Sequence, residues 1–210
     1  MYRKPLAGNG LEHLIQATEN SQFPVAWSRN GPAIIYSERN KRYEYEYSLR
    51  LLPLTPGSAP IPIAAPVIAA AAVSPSGLWV AFGSSESGTP EVYVQAMPGD
   101  AGASTPKVRV SSAGGMNPAW SADGNELLFN SLDDRLMSVA VKYPGGRFEA
   151  GQAKELFPLG GTGSFLGALY WQPIGNGERF VVLRSAPVTG HDNRINVVIN
   201  WQRGVSDSTE

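Results

Sequence analysis

The sequence of 210 residues contains no cysteine and only two histidines, His13 and His191. The first absence excludes disulfides, thiolate zinc sites and cysteine nucleophiles, and it fits an oxidising compartment as well as a reducing one. The second excludes a histidine-rich metal centre, and any Ser-His-Asp triad would have to use one of those two rings. Charge is also scarce: 17 basic and 18 acidic side chains leave a formal charge of −1, so no net field draws the chain to nucleic acid or to an anionic membrane. No apolar run reaches the roughly 18–20 residues of a bilayer-spanning helix, the longest being residues 61–73 with Pro62 and Pro66 inside it, and it reads as buried strand. Near the start, Pro5, Gly8, Gly10, Glu12 and His13 stand where a signal peptide would need its apolar core.

Turn formers, by contrast, are abundant. Glycine (23) and proline (17) make up 40 of the 210 residues without a collagen-like period, which implies many short elements. With 42% hydrophobic and 17% charged residues the chain has enough to bury, and it should fold.

One short pattern organises it. Ala26-Trp27-Ser28-Arg29-Asn30-Gly31 leads into Ala33–Tyr36, Ala72-Val73-Ser74-Pro75-Ser76-Gly77 into Leu78–Phe82, and Ala119-Trp120-Ser121-Ala122-Asp123-Gly124 into Glu126–Phe129. The serines at 28, 74 and 121 fall 46 and 47 residues apart. Tyr170 to Gly177, before Arg179–Leu183, is a degenerate fourth copy, and a two-residue insertion in its turn is expected to explain part of its longer spacing. Ser, Asn, Asp and Pro suit early turn positions and glycine accepts the positive φ that closes a tight reversal, so each copy predicts a β-hairpin turning on Ser28 and Gly31, Ser74 and Gly77, Ser121, Asp123 and Gly124, or Gly177.

A third β-rich run follows each hairpin (Tyr47–Leu54, Glu91–Met97, Arg135–Val141, Ile195–Trp201), and a fourth follows three of them (Ile61–Ala64, Lys107–Val110, Glu155–Phe157). Four antiparallel strands per unit of about 46 residues match one blade of a β-propeller. A sandwich is the competing all-β fold, but it predicts no such period. Leu11, Leu14 and Ile15 have helical spacing, and Ala150–Leu156 is rich in helix formers, yet both hold fourth-strand places in the repeat and are read as strands.

These residues resemble the TolB-like, WD-repeat-like β-propeller repeats, especially those of the C-terminal sensor regions of bacterial serine/threonine kinases. The likeness rests on the hairpins above, on Glu91–Gly99, on Leu136–Val141 and on the closing Ile195–Trp201, and it spans nearly the whole chain. It implies an all-β propeller segment of about four four-stranded blades over residues 1–203, with a partial blade at 1–18, units at about 19–66, 67–112, 113–159 and 160–203, and a disordered tail at 204–210. It implies no fixed catalytic set, cofactor or metal. The turn carboxylate of the family is present as Asp123 but replaced by Asn30 and Ser76.

A kinase engine is not encoded here, because the glycine-rich loop, the catalytic H-R-D loop and D-F-G are all missing. Gly161–Gly167 lacks the lysine and spacing of a phosphate loop and the Ser elbow of a hydrolase, so it reads as a loop between strands. His191-Asp192-Asn193 reads as a solvated turn, Asp133-Asp134 as a hairpin turn, and Glu44 and Glu46 as the polar face of a strand. Arg39, Lys41, Arg42, Tyr43 and Tyr45 mix cations with aromatic rings and are the candidate partner-contact loop. Trp27, Trp79, Trp120, Trp171 and Trp201 all fall in strand runs and are expected in the core.

The function expected is a noncatalytic module for protein interaction or ligand sensing, attached to a longer receptor-like or kinase-linked bacterial protein and extracytoplasmic if that parent is membrane-anchored or secreted. A protein or small ligand at the propeller face, and the remaining blades of a parent chain, are the expected partners. Propellers also host hydrolases and lyases whose sites come from channel-facing loops, and this is the alternative. Tyr2–Gly8 resembles a third-strand ending, so the chain is expected to begin partway through a blade and to form an open arc rather than a closed four-bladed ring.

Overall fold

A computed structural model of the chain describes residues 1–3, 11–28, 31–39, 46–98, 106–160, 171–174, 179–182 and 196–199. Sixteen strands run through them, and among the described residues the sole helical element is a three-residue 3₁₀ turn at Pro144–Gly146. A two-stranded ladder comes first, β1 (Tyr2–Arg3) against β2 (His13–Leu14). Unit one is β3 (Gln22–Trp27), β4 (Ala33–Arg39), β5 (Tyr47–Pro53) and the first part of β6 (Ile61–Val73). Unit two is the rest of β6 with β7 (Trp79–Ser84), β8 (Glu91–Ala96) and β9 (Lys107–Arg109). Unit three is β10 (Met116–Trp120), β11 (Glu126–Asn130), β12 (Arg135–Lys142) and β13 (Glu149–Pro158), and unit four shows β14 (Trp171–Ile174), β15 (Arg179–Val182) and β16 (Asn196–Ile199). Every pairing is antiparallel between consecutive strands. Neither segment with a local helical signal is helical: Leu14 lies in β2, and Ala150–Leu156 lies within β13.

Strand β6 is shared. Val67 still pairs with Tyr47 of unit one, while Ile68 already pairs with Gly83 of unit two, so one strand is the outer edge of one sheet and the inner edge of the next. Among the described strands none pairs β1 or β2 with β16, so the sheets do not close on themselves as a ring.

The period-2 alternation of the second strands builds the core. In unit two, Val80 and Phe82 pack with Ile35, Leu49, Ile63 and Val67 of unit one, whereas Ala81, one residue out of phase, packs with Trp120, Leu127 and Phe129 of unit three. Unit three repeats this: Leu127 and Phe129 face unit two, and Leu128 faces Trp171, Phe180 and Val182 of unit four. In unit one Ile34 and Tyr36 face the other way, toward Met1 and Ile15. The second strands of units one to three are therefore covered on both sides, which is why β4, β7 and β11 are buried almost throughout. Burying one such large apolar side chain stabilises the fold by about 1.5–3 kcal/mol.

Two expectations fail for reasons of packing. Trp27 is not in the core: it is 55% exposed, whereas Trp120 is 8% exposed at the same place in its hairpin. The difference is the neighbour, because Trp120 packs against unit two and no described residue packs over Trp27 in that way. The fourth hairpin also has a different frame. Its closing pair is Ile174 with Arg179, with four residues between them as between Ser121 and Glu126, so the strand register leaves no room for a two-residue insertion. Trp171 thus lies three residues before the closing pair and begins β14 rather than ending it. It is buried all the same, with its indole N–H donated to Asn130 Oδ1. Trp201 lies outside the described residues.

Candidate functional site

The first hairpin turns of units one to three lie on one face of the arc, since the ends of their first strands border one groove. In unit three, Ser121 Oγ donates to Asp123 Oδ1 (2.6 Å) and accepts from Glu126 N (2.9 Å), and Asn125 donates through its backbone N (3.1 Å) and its amide (2.8 Å) to the Asp123 carboxylate. The Ser121 hydroxyl first, and Asn125 after it, hold the Asp123 carboxyl below its ordinary value. Unit two does the same without charge: Ser74 Oγ is 3.0 Å from Ser76 Oγ and accepts from Trp79 N (3.1 Å). Gly77 and Gly124 both take φ of 75°, and their N–H groups donate to the carbonyls of Ser74 and Ser121. In unit one Ser28 N donates to Ala33 O and Gly31 takes φ of 141°. Gly177 lies outside the described residues.

Two grooves open on this face. One of 470 Å³ runs where the ends of the three inner strands approach the axis of the arc, lined by Ala26, Trp27, Ala71–Pro75 and Pro118–Ala122. The other, of 500 Å³, lies between units one and two, bounded by Gly31, Pro32, Pro53, Ile61, Leu78 and Met97 among others. Among the described residues, neither lining includes a titratable side chain. Small and apolar walls with an exposed Leu78 (54%) can bury apolar surface of a ligand and accept its backbone hydrogen bonds, but among the described residues they offer no general acid, base or nucleophile beyond serine and threonine hydroxyls. Ser74 and Ser121 spend theirs on their own turns.

Ionisable clusters lie elsewhere. Glu91, 5% exposed, accepts from the Ser111 hydroxyl and from Gly114 N (3.2 Å), while Ser111 Oγ accepts from Val92 N (2.7 Å). This pins the connection between β9 and β10 to the start of β8. Glu38 pairs with Arg50 Nε at 2.9 Å, and the Tyr36 hydroxyl beside them is pushed up, chiefly by burial. Asp133 sits in the β11–β12 turn, where Ser131 Oγ (2.5 Å) and then Arg135 hold its carboxyl low, and Asp134 takes φ of 62° there. No group of three or more metal-ligating side chains occurs among the described residues.

Of the candidate contact loop, Arg39 ends β4, half-buried, with its N–H donated to Ser21 O. Lys41, Arg42, Tyr43 and Tyr45 lie outside the described residues, as do Gly161–Gly167, Glu44 and His191–Asn193. Sequence reasoning missed the grooves because the walls of one come from two units and those of the other from three. Leu78 carried a local signal: it is an apolar residue in the last place of an exposed four-residue turn, where unit three has Asn125.

No family model and no curated protein matches the chain. Solved structures do: TolB from Acinetobacter baumannii superposes over 86% of this chain with a TM-score of 0.57 at 16% identity. The chain is a β-propeller segment. It spans 41% of that TolB, and the likeness at this identity concerns the fold alone. A putative TolB from Agrobacterium tumefaciens (TM-score 0.46, 19% identity, 66% of this chain and 52% of that one) and the β-propeller domain of the Trilobed protease from Pyrococcus furiosus (0.48, 14%, 86% and 57%) are similar more distantly.

Proposed function

We propose that this propeller segment is a noncatalytic binding module that takes a segment of a partner protein on its turn-bearing face, as the C-terminal sensor part of a longer, kinase-linked bacterial protein. The observation that carries the reading is the pair of grooves, 470 and 500 Å³, whose described lining residues are mostly apolar or small and include no titratable one. Such walls favour burial of apolar anchors over bond-breaking chemistry. The kinase linkage rests on the resemblance of the repeats alone. Residues 1–203 act in this reading as one body, with 204–210 as a tail.

Selection of a displayed random-peptide library on the purified chain tests it. Leu78→Arg places a charge in the inter-unit groove, and Ala122→Arg places one at the rim of the axial groove, both at exposed positions. Enriched peptides are expected to lose at least about tenfold in affinity on one of these variants, the equivalent of 1.4 kcal/mol. No enrichment, or peptides indifferent to both charges, refutes the proposal. Turnover of generic ester, peptide or glycoside substrates by the purified chain would instead establish the enzyme alternative.

A further inference from the structure

A third groove carries the charge that the other two lack. It encloses 310 Å³ between the β1–β2 ladder and the far end of β5, and Arg3, Leu14, Leu52, Leu54, Thr55 and Ser58 are among its lining residues. Leu52 is buried there, whereas Leu14 is 56% exposed, so the groove presents apolar surface to water. Its other wall is a tight turn of the β5–β6 connection. Ser58 N donates to Thr55 O (3.1 Å), and Gly57 takes φ of 83° after Pro56. Proline at the second place and glycine at the third are the residues such a turn favours, so the backbone that carries the Thr55 and Ser58 hydroxyls is set before a ligand arrives. Pro53, Thr55 and Ser58 also border the groove between units one and two, which puts this turn between the two spaces.

The polar groups of this groove are uncommitted. Among the described residues, the Arg3 guanidinium and the hydroxyls of Thr55 and Ser58 have no hydrogen-bond or ion-pair partner, and no carboxylate is in the lining. We propose that the groove is a binding site for a small monocarboxylate with an apolar body, its carboxylate on Arg3 and the two hydroxyls and its body on Leu14, Leu52 and Leu54. A guanidinium presents two parallel N–H donors that match the two oxygens of a carboxylate, and each hydroxyl supplies a further donor. The volume lies near the lower end of the roughly 300–1,000 Å³ of small-molecule pockets, which suits a compact acid rather than a polypeptide. An exposed ion pair adds little alone, so binding needs the apolar contact and the charge together. A cationic ligand meets like charge at Arg3, and a neutral one leaves the fork to water. This site does not rest on the peptide-binding reading of the two neighbouring grooves.

The probe is hydrocinnamate, titrated into the full chain by calorimetry and ligand-observed NMR beside hydrocinnamamide, which has the same body without the charge. Saturable binding of the acid is expected with Kd on the order of 0.1–1 mM, and the amide should bind at least about fivefold more weakly. Raising the salt should weaken the acid and leave the amide unchanged. Arg3→Gln, at an exposed position, should keep the circular dichroism and Tm of the parent and bind acid and amide alike. Arg3→Lys keeps the charge without the fork and should retain part of the preference for the acid. Absence of saturable binding, equal affinity of the parent for acid and amide, or an Arg3→Gln variant that still prefers the acid overturns the proposal. A short peptide ending in a free phenylalanine carboxylate that binds more tightly than hydrocinnamate also overturns it, by making a protein terminus the ligand.

Discussion

Removing one turn hydroxyl separates the two chemistries that the hairpins use for the same job. Ser121 and Ser74 are both nearly buried, and each anchors a four-residue turn by accepting the N–H of the residue that re-enters the sheet. They differ in the second bond: Ser121 donates to a carboxylate, whereas Ser74 meets the hydroxyl of Ser76. Ser121→Ala should cost about 1–2 kcal/mol near neutral pH, one neutral bond at about 1 kcal/mol plus a charge-assisted bond cut down by the exposure of Asp123. Ser74→Ala should cost about 1 kcal/mol from neutral bonds alone. For a chain of this size each kcal/mol moves Tm by roughly 2–4 °C. The pH dependence carries the test. The folded Asp123 carboxyl titrates below its ordinary 3.8, so the unfolded state binds more protons in that window and the contribution, present above 3.8, is lost as pH falls through the lower folded value. The gap between parent and Ser121→Ala should therefore narrow from about pH 7 to about pH 3 in urea titrations, while the gap for Ser74→Ala stays constant. Parallel curves for the two variants at every pH would refute the assignment of the Ser121 hydroxyl to the carboxylate.

Two further outcomes follow from packing and shape. A Cβ at Gly83 would lie 2.9 Å from the Ile68 carbonyl oxygen, a backbone atom that cannot swing aside, so Gly83→Ala should lose roughly 1–3 kcal/mol in urea unfolding, whereas Gly151→Ala on the exposed outer strand, with its nearest neighbour at 3.3 Å, should stay within about 0.5 kcal/mol of the parent. Small-angle scattering of the purified chain should give a radius of gyration above the roughly 17 Å expected of a compact body of 210 residues, since the sheets lie side by side as an arc, and a monodisperse monomer at that value would favour a closed ring.

Most of the fold was legible because two periods coincide in the sequence. The 46- and 47-residue spacing of Ser28, Ser74 and Ser121 marks the unit, and within each unit the alternation at 34–36, 80–82 and 127–129 assigns alternate residues to opposite neighbours. That second signal is why helical spacing at Leu11–Ile15 and helix formers at Ala150–Leu156 lost to extended structure: a sheet that needs another strand overrides weak local preference. The frame of unit four was not legible, since Trp171 mimics the Trp of the pattern while the true closing pair, Ile174 with Arg179, is fixed by strand register and not by residue type. The grooves were not legible either. The axial groove combines Trp27, Ala72 and Pro118 from three units and the other groove draws on two, and no local window contains more than one wall.

Trp27 and Trp120 show where local sequence stops deciding. Both follow alanine and precede serine, both sit at the end of an inner strand, and the same register turns both toward the preceding unit. One is 8% exposed with its N–H on a backbone carbonyl; the other is 55% exposed. In a repeat architecture each unit contributes its own ladder plus half of the interface on either side, so stability is approximately a sum of unit and neighbour contributions. A residue that reads as core in every copy is core only where its neighbour is in place. The energy that buries Trp120 is thus a property of the pair formed by units two and three.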